Sequence, residues 1–323
     1  MKRKLLFTLL AAVMGCMCSC TPTFPDDPTG NTGNPVTPPG DDTISLDTVP
    51  PAPRPVSVNL CMEVLTEWGM EFDVYLPTRA VGAPSDSIRF VVRVRPDGSD
   101  SIAEYVYLQR FDEEHVAAMD LLPGRYSINV WADYIMQPCG SLSPYYCFPR
   151  FGEVTVNDTA YAINTASKDA FCGAANVIID SDEPTDSIRM TLHRPVSRIQ
   201  FVLCDTTHFL QQERERLQLA ADAAVDLGAY SARLRYPAFL PIAYDMVHGN
   251  PCDSKAGVSS AASLCLADDN RLIIAYDYIF TGKNKDFVTV AAELYDSSGV
   301  KVWEASSMDV PLVRNCNTSI KVW

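Results

Sequence analysis

The chain has 323 residues, of which 47% are hydrophobic and 20% charged, and its 26 basic against 40 acidic side chains leave a net charge of −14. A surface of that sign repels phosphate backbones, which argues against nucleic acid as a partner. The length exceeds that of one ordinary domain and points to two.

Lys2, Arg3 and Lys4 open the chain, and residues 5–14 (LLFTLLAAVM) form a short apolar run. A bilayer needs about 20 such residues, so this run does not span one. A cationic start, a short apolar stretch and small residues ahead of a break make a secretory signal. Three cysteines then follow closely, Cys16, Cys18 and Cys20. Such a cluster acts as a metal or redox ligand set only if it stays in the folded protein, and a signal is removed. With cysteine just after the break, the pattern resembles a bacterial lipoprotein signal, whose thiol is acylated. Cys20, behind Ser19 and directly ahead of polar chain, is the favoured lipid attachment site, and Cys16, behind Gly15 and Val13, is the alternative. The signal then covers residues 1–19.

Residues 20–55 form a tether. Ten prolines lie between positions 21 and 55, with Gly, Asn, Thr and Asp filling the gaps. Such a stretch cannot bury enough apolar surface to offset its ordering entropy, and its prolines keep it extended.

Beyond the tether, period-2 alternation and turn residues predict strands at 56–64, 88–95, 104–111, 116–121, 126–131, 188–193, 198–203, 231–236, 271–278, 287–295, 301–306 and 319–322. Short strands with turns at this spacing imply sandwiches or barrels. One segment departs from the trend. Leu210, Leu217, Ala221 and Val225 recur at helical spacing in FLQQERERLQLAADAAVDLG, which predicts one helix ending at Gly228. The stretches PSDSIRFVVRVRP at 84–96 and PTDSIRMTLHRP at 184–195 echo each other, yet their flanks differ, so they read as two turn-then-strand units. Arg194-Pro195 is a natural hand-over between an N-terminal sandwich at 56–194 and a C-terminal sandwich at 195–323.

Motifs for chemistry are sparse. His115, His193, His208 and His248 stand alone, without H-E-x-x-H or paired C-x-x-C spacing for zinc, and neither a G-x-S-x-G elbow nor a phosphate loop occurs. No enzyme motif is found, and no metal or cofactor is implied. The acidic stretch DSDEPTD at 180–186 lacks the glycine and ligand spacing of a calcium loop and reads as a solvated turn. In MQPCGSLSPYYCFPR, Tyr145, Tyr146 and Phe148 fall in a long connection, where they form either a sugar-stacking surface or rings folded over a sheet edge. Cys139 and Cys147 bracket part of it and are candidates for a local disulfide. The other cysteines past the signal sit singly, mostly among apolar neighbours, and read as buried thiols.

Five stretches in order carry a resemblance: LPGRYSINVWADY at 122–134, SKDAFCG at 167–173, HRPVSRIQFVLCDTTHF at 193–209, AYDYIF at 275–280 and VPLVRNCNTSI at 310–320. Together they resemble the fimbrillin-like lipoproteins of Bacteroidales, in particular the fimbrial anchor and accessory group. The resemblance implies an all-β body of two transthyretin-like β-sandwich domains in series, into which the helix above places one short helix in the second. It also implies an outer-membrane lipoprotein held by its acyl chains and exposed at the cell surface, with fimbrillin-like subunits as partners. Stalk subunits of that family are cut after an arginine so that a neighbour's strand can enter; Arg79, in LPTRAVGAP, is the candidate cut site. Anchor-type members keep the first strand, and here the chain lacks the glycine and further residues that relatives carry after T-x-I. The expectation is a non-enzymatic anchor or accessory subunit of a fimbria-like assembly, with a stand-alone surface glycan-binding lipoprotein as the alternative.

Overall fold

A computed structural model of the chain describes residues 53–67, 70–72, 87–135, 143, 145–157, 161–180, 187–266 and 272–322. The strands up to residue 192 are β1 (Val56–Val64), β2 (Met70–Phe72), β3 (Ser87–Pro96), β4 (Ala103–Arg110), β5 (His115–Leu121), β6 (Gly124–Tyr134), β7 (Tyr146–Arg150), β8 (Glu153–Val156), β9 (Ala170–Ile179) and β10 (Ile188–Leu192). After them come β11 (Val196–Leu203), the helix α1 (Thr206–Arg216), β12 (Ser231–Tyr236), β13 (Leu240–Asp245), β14 (Asn250–Lys255) and β15 (Val258–Ser263). The last are β16 (Cys265–Leu266), β17 (Leu272–Phe280), β18 (Asp286–Tyr295), β19 (Lys301–Leu312) and β20 (Cys316–Val322). The body is all-β, as the sequence predicts, and each of the twelve predicted strand spans meets a strand.

The strands form five sheets, ordered β10-β1-β5, β4-β3-β6-β9, β16-β17-β11-β20-β2, β15-β12-β18-β19 and β14-β13-β8-β7. Alternation decides which side chains each sheet buries. On β1, Val58, Leu60 and Met62 point inward while Ser57 and Asn59 face out, because successive side chains leave a strand on opposite faces. These residues pack on Ile88, Phe90 and Val92 of β3 and Ile128 and Val130 of β6, giving a first sandwich core. A second core joins Ile199 and Phe201 of β11 to Leu234 of β12 and Val288 and Val290 of β18. Strands β3, β6, β11 and β17 are buried on both faces, so their polar residues, Arg89, Asp133, Arg198 and Asp277 among them, are buried too. Their second faces supply much of a third core between the two sandwiches, centred on Trp131, Tyr146, Tyr244 and Phe280.

The helix is real but shorter than the spacing predicts. Asp205 caps its start by accepting from the His208 N–H at 2.8 Å. It stops at Arg216, because Gln218 adopts the left-handed region (φ 55°) and the Gln218 and Leu219 N–H groups bond back to Glu215 and Arg214. Arg214 then holds the following chain by donating to the Ala223 carbonyl at 2.8 Å. Residues 217–226 keep helical spacing of apolar residues without helical backbone, so a terminating turn overrides periodicity.

Candidate functional site: the first strand and the buried junction

The first described segment acts as a strap across the molecule. Strand β1 lies between two neighbours, antiparallel to β5 from Val56 to Met62 and parallel to β10 from Leu60 to Val64. Its inward residues are fully or nearly fully buried, and each such side chain contributes about 2 kcal/mol of hydrophobic stabilisation. Where β1 ends, Arg194 takes hold of the chain: its Nη2 donates to Thr66 O at 2.8 Å and its Nη1 to Glu67 O at 3.3 Å. Asn315 donates to the same Glu67 carbonyl at 3.1 Å. Strand β2 then pairs parallel with β20 through Met70↔Cys316, Glu71↔Asn317 and Phe72↔Thr318. The strap therefore belongs to one sheet of each sandwich.

Arg194 can hold the strap because it is itself held. It grips Asp169 bidentately at 2.7 and 2.9 Å, donates to Asn315 Oδ1 at 2.7 Å and lies 4.8 Å from the Phe171 ring centre. A planar guanidinium suits this fork of acceptors, which a lysine could not fill. Two further buried ion pairs share the region. Arg89 meets Asp133 bidentately at 2.8 and 2.7 Å, and the Lys168 ammonium meets Asp277. Burial holds the Asp133 carboxyl above its usual range against the pull of Arg89, and burial lowers Lys168 against the pull of Asp277.

Local chain geometry aims Lys168 inward. Asn164 sits in the left-handed region (φ 55°), which asparagine tolerates, and its Oδ1 accepts from the Tyr276 N–H at 2.7 Å. Thr165 then caps a single 3-10 turn, Ala166–Lys168, that delivers the lysine into the core. At the other side of the junction Asn315, also left-handed, turns the chain from β19 into β20. The five stretches that carry the sequence resemblance converge here: Asp133, then Lys168 and Asp169, Arg194, Asp277, and Asn315 come one after another from each in turn. No single-residue motif announces this site, since the partners of Arg194 and Lys168 lie up to 128 residues away.

Tyr146 is buried, its ring 4.9 Å from Trp131 and 5.9 Å from Phe280, and its hydroxyl donates to the Lys168 carbonyl. Tyr145 and Phe148 are half-buried against the same core, with the Arg89 guanidinium 5.7 Å from the Phe148 ring centre. An exposed stacking surface is therefore not what Tyr146 forms; on strand β7 its ring turns inward, where apolar contact stabilises it. Cys147 is exposed on the same strand, whereas Cys139 lies outside the described residues. Cys16, Cys20 and Arg79 also lie outside them, as does most of the acidic stretch at 180–186. Cys61, Cys172, Cys204, Cys252 and Cys265 are free thiols, and burial pushes the Cys172 thiol up to about 12. Among the described residues, no group of three or more His, Cys, Asp and Glu side chains is placed to hold a metal, and no helix is long and apolar enough to cross a membrane.

Fold and junction together define an all-β double-sandwich protein whose first strand is built into its core. Residues 54–322 match the model described as "Family of unknown function (DUF6562)", and the chain belongs to that family. A comparison with curated proteins gives no match. Among solved structures the chain is similar to the fimbrial anchor protein Mfa2 from Porphyromonas gingivalis, at 12% identity over 79% of this chain and 82% of that one, with a TM-score of 0.36. It is similar to a fimbrial assembly protein from Parabacteroides distasonis, at 12% identity over 83% and 91%, with a TM-score of 0.37. A third is a candidate adhesin from Bacteroides thetaiotaomicron, at 13% identity over 79% and 81%, with a TM-score of 0.44.

Proposed function

We propose that the protein is a non-enzymatic surface lipoprotein, acylated at Cys20 or alternatively Cys16, that serves as a fixed base or accessory subunit of a fimbria-like assembly. The observation that carries this reading is the seat of β1, which is hydrogen-bonded on both sides and followed by the Arg194 clamp. A sandwich that keeps this strand offers no vacant groove there for a neighbour's strand, so partners add at another edge. The signal-like start and the proline-rich tether support a body held off a lipid surface at the outer membrane. In this reading the chain divides at 194/195, and Arg79 stays uncut.

Peptide mapping of the protein from intact cells tests it. Peptides from 56–78 are expected to remain attached to the chain, and a dominant species beginning at Ala80 would overturn the base or accessory role in favour of a polymerising subunit. Cys20→Ala is expected to release the protein from the membrane fraction; release by Cys16→Ala instead would move the acyl group. Glycan capture through Tyr145, Tyr146 and Phe148 has less support, because the Tyr146 ring is packed in the core.

A further inference from the structure

We propose that Lys168 and Asp277 react with each other in the folded protein to form an intramolecular amide cross-link between their side chains, with loss of one water. This inference stands apart from the anchor reading and would hold for any role of the protein.

The two groups are in direct contact and are 1% exposed each, on segments 109 residues apart. A contact pair walled off from solvent has its reaction partners already assembled, which removes most of the entropic barrier to joining them. Three things the reaction needs are present. The first is a route to a neutral nucleophile. Burial disfavours the charged lysine against the pull of Asp277, and the two groups are in contact, so moving one proton from Nζ to Oδ1 turns the pair into amine and carboxylic acid.

The second is stabilisation of the developing oxyanion. Both Tyr161 and Tyr236 aim their hydroxyls at the other carboxyl oxygen, Oδ2, at 2.6 and 2.7 Å. Burial raises both phenols well above their ordinary value, as does the Asp277 charge, so they act as donors. Two donors on one oxygen in a water-poor setting form an oxyanion hole. The third is orientation of the amine and of the oxygen that leaves. Nζ donates to the Ala162 carbonyl at 3.0 Å and lies 3.9 Å from the Tyr161 ring centre, while the Tyr278 N–H holds Oδ1 at 2.8 Å.

The step balances without a further reactant. After the first proton transfer, the Nζ lone pair attacks Cγ and the carbonyl electrons move onto Oδ2 between the two tyrosines. A second proton passes from nitrogen to the Oδ1 hydroxyl, the Cγ–Oδ1 bond breaks, and water departs with that electron pair. The Cγ–Oδ2 double bond re-forms. Nitrogen keeps one hydrogen, which has Ala162 O as its acceptor, and the new carbonyl keeps both tyrosine donors. The surroundings that would receive the product are thus already in place, whereas an ordinary buried ion pair of this kind leaves two desolvated charges whose attraction offsets their burial cost only in part.

Tryptic mapping of the native, full-length protein reads the bond directly. The cross-link blocks cleavage after Lys168, so residues 151–189 are expected to appear joined to residues 272–283, lighter than the two peptides together by the mass of one water. Separate peptides 151–168 and 272–283 in full yield would overturn the proposal. This wild-type measurement decides the matter even if Asp277→Ala fails to fold; where that variant folds, it should yield only the separate peptides. The double variant Tyr161→Phe with Tyr236→Phe should cross-link at least about tenfold more slowly. Cross-linking at the wild-type rate would overturn the role assigned to the two hydroxyls.

Discussion

The first sandwich core and the junction are built on opposite plans. Around Val58, Leu60, Phe90 and Ile128 the buried side chains are almost all apolar. The junction buries Arg89–Asp133, Arg194–Asp169 and Lys168–Asp277 among aromatic rings. Apolar packing accepts several shapes at small cost, whereas a buried ion pair is satisfied in one arrangement and heavily penalised in others. The sandwich core therefore supplies stability, and the junction fixes which segments meet.

The largest test of that contrast is Asp133→Ala. It leaves the Arg89 charge buried against Phe148 without its carboxylate, and it is expected to cost about 4 kcal/mol in urea unfolding. Leu60→Ala, in the apolar core, should cost less, about 3 kcal/mol, because the loss is packing and a cavity instead of a stranded charge. If the Leu60 variant proves the more damaging, the contrast fails.

A smaller effect comes from the polar exception in the first core. His115 is buried beside Phe90, its Nδ1 without a hydrogen-bond partner among the described residues, and burial holds its pKa below the ordinary 6.5 against the opposing pull of Glu113. A base with a depressed folded-state value contributes fully above its unfolded value, and that contribution is lost as pH falls through 6.5 toward the folded value. Stability measured from pH 7.5 downward should accordingly drop more in the wild type than in His115→Leu. Equal slopes would mean that this histidine is not the sensor.

Much of the fold was legible, because period-2 alternation reports burial directly. β9 and β14 lack that signal. β9 reads AFCGAANVII, with small residues where β10 comes close: a Cβ on Gly173 would lie 2.8 Å from Leu192. β14, NPCDSK, is almost wholly exposed and carries no apolar rhythm. The site was legible only as five unexplained stretches. Arg194 appeared merely as the residue before a proline, and Lys168 and Asp277 as letters in SKDAFCG and AYDYIF. What joins them is tertiary contact across 25 to 128 residues, which no local pattern encodes.

The strap also sets the order in which the chain can fold. β1 awaits β10 at residues 188–192, and β2 awaits β20 at residues 316–318, so two early segments wait for late ones. Contacts of such separation form slowly, since loop-closure entropy is lost before the pairing rewards it. A chain that emerges amino terminus first can pair β1 with β5 early, but it carries the other edge of β1 open until β10 has been made, as a sticky edge open to wrong partners. Passage in an unfolded state, with collapse only after the last residue has arrived, suits this topology better than piecewise folding along the way.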